Sequence, residues 1–120
     1  MAKVIKIGEK ELNFKATALT SMAFKKLWKE DILASLSEID PKTFDASKAT
    51  DALDTINRLA FIMNKQAEGM PVKELMNLTE IDYYEWIDQF KFSDLYDSNY
   101  ISEVLVVWTE GLQTTSKAKN

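Results

Sequence analysis

Apolar positions along the chain repeat with two different periods. From Lys3 to Phe14 they alternate, with Ile5 and Ile7 on one pleat face and Leu12 and Phe14 likewise paired after Gly8-Glu9-Lys10. A period of two is the mark of a half-buried strand, so residues 3–15 are expected to form a β-hairpin turning at about Gly8 to Lys10. Two strands alone are marginal in water, and this hairpin must lie on something helical.

Further along, the period lengthens. Phe24, Leu27, Trp28, Ile32 and Leu36 recur at helical spacing, which predicts one helix from an N-cap at Thr20 or Ser21 to about Leu36, with Asp40-Pro41 closing the region. Pro41 to Lys48 is the longest candidate loop. Asp45 or Ser47 then caps a second helix striped by Leu53, Ile56, Ala60, Met63 and Ala67 and ended by Gly69. Leu59, Phe61 and Ile62 widen its apolar face and mark it as the central, most buried helix. Pro71 suits the first turn of a short helix to about Met76. Thr79 and Asp82 resemble a capping box, with Asp in place of the usual Glu, for a helix from about Glu80 to Phe90. After a break at Lys91-Phe92-Ser93 and a turn at Asp94-Leu95-Tyr96, Asp97 or Ser98 starts a last helix through Ile101, Val104, Leu105 and Trp108, ended by Gly111. The expected fold is mainly α with a small N-terminal β-hairpin: a compact helical domain of about four to five helices over residues 1–112, followed by a disordered polar tail at 113–120.

Composition narrows the function. At 120 residues and 46% hydrophobic the chain suits one core. Its 15 basic residues are scattered among 19 acidic ones for a net charge of −4, which argues against nucleic acid, because phosphate binding needs concentrated Lys and Arg. The absence of His and Cys removes disulfides, thiolate nucleophiles, the usual zinc ligands and the commonest general base. A hydroxyl nucleophile would have to rely on Lys or a carboxylate, and no such pair is marked. With no Gly-rich phosphate loop and no calcium-loop spacing, no cofactor, metal or catalytic residue is assigned, and the expectation is a binding protein and not an enzyme. The acidic group Glu80, Asp82, Glu85 and Asp88 reads as a solvated helix face. Neither a signal-peptide core nor a membrane-length apolar run is present, so the expected location is the cytoplasm, away from membranes.

Aromatic residues are the informative feature, since Trp and Tyr serve both as core filler and as interface anchors. Trp28, Ile87 and Trp108 lie on clear stripes and read as core. Trp86 points between the stripes of its helix, where core and interface are equally favoured, and Phe92 and Tyr96 fall in the break between helices. Trp86, Tyr83, Phe92, Tyr96 and Met70 are the candidate protein-binding residues. At the C-terminus, Lys119-Asn120 is encodable as a slippery sequence for a backward ribosomal frameshift.

The hairpin Val4 to Leu12, the segment Phe24-Lys25-Lys26-Leu27-Trp28, the run Tyr84-Glu85-Trp86-Ile87-Asp88-Gln89-Phe90 with Asp94-Leu95-Tyr96-Asp97, and the ending Gln113 to Lys119 together resemble the tail assembly chaperones of long-tailed phages and prophages of Gram-positive bacteria. The resemblance covers most of the chain and rests on order, length and the two C-terminal segments, not on a catalytic signature. It implies a protein that self-associates, coats and solubilises the tape measure protein, and helps recruit major tail protein during tube assembly. It further implies a frameshifted longer form of the same protein and absence from the mature virion. The alternatives are a small structural or connector subunit retained in the virion, or a bacterial helical adaptor.

Overall fold

A computed structural model describes residues 2–36 and 50–112. Strands β1 (Lys3–Ile7) and β2 (Lys10–Phe14) pair antiparallel, with Ile5 opposite Leu12 and Ile7 opposite Lys10. The connection is Gly8-Glu9, and Gly8 takes φ +64° while Glu9 does not enter the left-handed region, the arrangement of a two-residue turn with Gly in first position. Ile5, Ile7 and Phe14 are buried on one face, and the opposite face of Val4, Lys6, Glu11 and Asn13 is exposed.

Among the described residues seven helices follow: α1 (Ala18–Trp28), α2 (Ile32–Leu36), α3 (Thr50–Ala67), α4 (Val72–Leu75), α5 (Glu80–Ile87), α6 (Phe92–Leu95) and α7 (Ser98–Leu112). The count exceeds the expected four to five because α2, α4 and α6 are only one turn or slightly more. The mainly helical class with an N-terminal hairpin is as expected from the sequence. The tail at 113–120, the loop at 41–48 and the caps Asp45 and Ser47 lie outside the described residues.

Helix α3 is the hub. Ile56, Leu59, Ala60, Phe61, Ile62 and Met63 are all fully buried, so the apolar surface wraps most of its circumference, as a helix surrounded by other elements requires. β2, α1, α2, α4, α5 and α7 all pack on it, and β1 lies on α7. Two polar side chains of α3 turn inward and are satisfied. Asn64 donates to the carbonyl of Asn13 (2.9 Å) and accepts from the Trp86 indole N–H (2.9 Å), tying the hairpin to α5 through the centre. Gln66 accepts from the Thr20 hydroxyl and donates to Thr17 Oγ1 (2.9 Å), fixing the start of α1. Buried amides of this kind cost stability unless bonded, and here each both donates and accepts, Asn64 between two elements and Gln66 at the start of α1.

Several boundaries differ from those read along the sequence: α5 stops at Ile87 and not at about Phe90, Phe92–Leu95 is the one-turn helix α6 and not a break followed by a turn, and three further differences have a clear physical cause. First, α1 begins after Thr17, not at Thr20 or Ser21: Thr17 accepts from Leu19 N–H, and its own N–H donates to Thr20 Oγ1 (2.9 Å), so Thr20 fills the position usually held by Glu or Gln in a capping box. Secondly, the single helix expected as far as Leu36 is two. Lys29 takes φ +61°, its N–H closing on Lys25 O at 2.8 Å, and Asp31 then restarts the helix by accepting the Leu33 N–H at 3.0 Å. The bend lets Trp28, Ile32 and Leu36 all reach the core. Thirdly, Gly111 does not end α7, which runs to Leu112. A Cβ at Gly111 would stand 2.6 Å from the Ala16 Cβ, so the glycine permits close approach of the helix to the segment before α1. Elsewhere the sequence signals hold: Thr79 and Asp82 form the reciprocal cap of α5, Asp97 accepts the Asn99 N–H (2.7 Å) at the start of α7, and Gly69 takes φ +86° after α3.

Candidate functional site

The aromatic end of the molecule is built by α5, α6 and the first half of α3. Between them lies an open apolar groove of about 320 Å³. Leu53, Asp54 and Asn57 form its α3 wall, Tyr83, Tyr84 and Ile87 its α5 wall, and Phe92, Leu95 and Tyr96 its end. Phe92 and Tyr96 make an edge-to-face pair with ring centroids 4.3 Å apart. Phe92 is nevertheless 72% exposed, a large apolar side chain standing in solvent beside a concave apolar surface.

The two polar side chains of the α3 wall are engaged. Asn57 accepts from the hydroxyl of Tyr100 (2.7 Å), and Asp54 pairs with Arg58 (3.1 Å), whose guanidinium also reaches Glu30 (3.3 Å). The same guanidinium lies over the Trp28 ring at 5.4 Å. Burial pushes the Tyr83 phenol far above its ordinary range, with the nearby Asp54 charge acting in the same direction, and burial does the same to Tyr100. Both hydroxyls therefore stay protonated, which suits hydrogen bonding and apolar contact and not acid–base chemistry near neutrality. Among the described residues no group of His, Cys, Asp or Glu is arranged to hold a metal ion, and no helix is long and apolar enough to cross a membrane.

The five candidate residues separate. Tyr83, Phe92 and Tyr96 meet in the groove. Trp86, left between core and interface by its place on the helix, is 5% exposed, packed at a tilt against Phe61 and edge-to-face against Phe90, and hydrogen-bonded to Asn64, so it is a core residue and not a surface anchor in this chain. Tyr83 is 5% exposed and forms the floor of the groove, not its rim. Met70 is half-buried on the other side of α5, in a separate hollow with Leu78, Glu85 and Gln89. The sequence reading missed Leu53, Asp54, Asn57, Tyr84, Ile87 and Leu95 as groove residues. For Leu53 no local signal could have served, because its core stripe and its groove contact lie on the same helix face. Asn57 did carry one: it is a polar residue set among the apolar positions of the central helix. No family model, curated protein or solved structure matches this chain.

Proposed function

We propose that this protein is a tail assembly chaperone of a long-tailed phage or prophage, which binds and solubilises the tape measure protein in the host cytoplasm. In this reading it self-associates along its client, helps recruit major tail protein, acts together with a frameshifted longer form and leaves before the virion is complete. The observation that carries the proposal is the groove with Phe92 at its end: an open apolar trough of three elements, without a constellation for chemistry, suits the apolar stripe of an amphipathic helix. A long helical client presents such stripes repeatedly and has to be kept from aggregating until the tube forms around it. The net charge of −4 favours solubility of the coated complex.

Co-expression of the full chain with the protein encoded immediately downstream tests this. The expected result is a soluble client that co-purifies with this chain, and Phe92→Ser in the full chain should return most of the client to the pellet. An insoluble downstream protein beside soluble wild-type chain would defeat the proposal, and presence of the chain in purified virions would replace it with a structural role.

A further inference from the structure

The 15 basic residues, scattered among 19 acidic ones over the chain as a whole, are biased locally: residues 1–29 carry seven lysines and two acids, whereas residues 79–99 carry six acids and one lysine. The fold turns this imbalance into two helix faces of opposite sign. On α1 the buried side is Thr20, Ala23, Phe24 and Trp28, so Met22, Lys25 and Lys26 share the outward side, with Met22 60% exposed, and the exposed Lys29 follows at the left-handed cap of the helix. On α5 the buried side is Tyr83 and Trp86, and Ile81, Glu85 and Asp88 share the outward side, with Ile81 63% exposed. Lys26 is held by the carbonyl of Met76 at 2.5 Å. Among the described residues, Lys25, Lys29, Glu85 and Asp88 take part in no ion pair.

These two faces cannot neutralise each other within one molecule. Trp28 of α1 and Tyr83 of α5 pack edge-to-face at 5.4 Å, both against Phe61 of α3, so the helices join by their inner sides and present their charged sides outward. Each face has the same plan, an exposed apolar residue flanked by charges of one sign, and the signs are opposite. A surface and its complement on one chain point to a second copy as the occupant.

We infer that self-association occurs by docking of the outward side of α1 in one copy, Met22 and Lys25 with the cap residue Lys29, onto the outward side of α5 in another, Ile81 and Glu85 with the cap residue Asp88. This deepens the self-association part of the reading above, and it leaves the groove at Phe92 to the client. Met22 meets Ile81 at the centre of the contact, and the lysines meet the carboxylates around it. The charges give register and salt dependence, and the apolar pair excludes water.

Sedimentation of the purified full chain without any client tests the contact, so its failure leaves client binding untouched. The wild-type chain should associate at about 10–100 μM in low salt, and association should weaken markedly as the screening length shrinks from about 10 Å at 0.1 M salt to about 3 Å at 1 M. The double variants K25E/K29E and E85K/D88K should each keep the wild-type circular dichroism and each weaken association by roughly tenfold or more, because every attraction becomes a repulsion. Mixed in equal amounts, the two variants should associate again, since the reversed α1 of one then faces the reversed α5 of the other. A wild-type chain that stays monomeric across that range, a double variant that associates like wild type, or a mixture that fails to recover would each overturn the inference.

Discussion

Trp86 and Phe92 belong to the same aromatic stretch, yet Trp86 is 5% exposed and Phe92 72%. Around Trp86 the chain supplies Phe61, Phe90 and the Asn64 carbonyl oxygen, so both the ring and its N–H find partners. Around Phe92 it supplies only the edge of Tyr96 and the mouth of a groove. The difference follows from what lies across from each residue. Trp86 sits on the two-turn helix α5 facing the hub helix α3, whereas Phe92 opens the one-turn helix α6, which packs mainly on α7. Aromatic density thus marks a place where apolar surface is concentrated, and neighbouring elements divide it between interior and exterior.

The comparison breaks most visibly at its buried end. Trp86→Ala should cost about 3–5 kcal/mol, through lost packing and an orphaned Asn64 amide, and chemical denaturation will read it as a large fall in midpoint. An effect near zero would mean that Trp86 is not part of the core in solution. Alkaline titration sharpens the contrast at intermediate size. For Tyr83 and Tyr100 the folded state raises the phenol above its ordinary value of 10.0, so each contributes stability that is complete below pH 10 and is lost as pH rises beyond it. At pH 11 the loss should be about 1.4 kcal/mol for each buried tyrosine, and their phenolate absorbance should appear only together with unfolding. Phenolate signal from Tyr83→Phe and Tyr100→Phe variants, compared with wild type, assigns it. The smallest expected change is at the exposed end: Phe92→Ser should alter stability by no more than about 0.5 kcal/mol, so that any loss of client in co-expression is read as lost binding. A destabilisation of several kcal/mol there would make Phe92 a core residue and remove the groove argument.

Much of the fold was legible because its signals are local. The hairpin followed from alternation and from Gly8, the α5 cap from Thr79 and Asp82, the start of α7 from Asp97, and the centrality of α3 from the breadth of its apolar face. The break between α1 and α2 was harder. Its left-handed residue is Lys29, where Gly or Asn would have been expected, and the remaining clue, Asp31 as a cap, competes with an unbroken helical stripe on both sides. Gly111 misled for the opposite reason: a glycine near a helix end reads as a stop, and its actual role, close approach to Ala16, depends on a segment almost a full chain length away.

The candidate site divides along the same line. Sequence alone determined that the chain has no histidine or cysteine chemistry, that its apolar surface is rich in aromatics near residues 83–96, and that seven lysines precede residue 30. Only the tertiary structure decided that Trp86 is interior, that Tyr83, Phe92 and Tyr96 share a groove while Met70 does not, and that Lys25 and Lys26 of α1 face outward. The physical reason is range: caps, turns and hydrophobic periodicity act over a few residues, whereas burial of one side chain depends on which surface the rest of the chain brings against it.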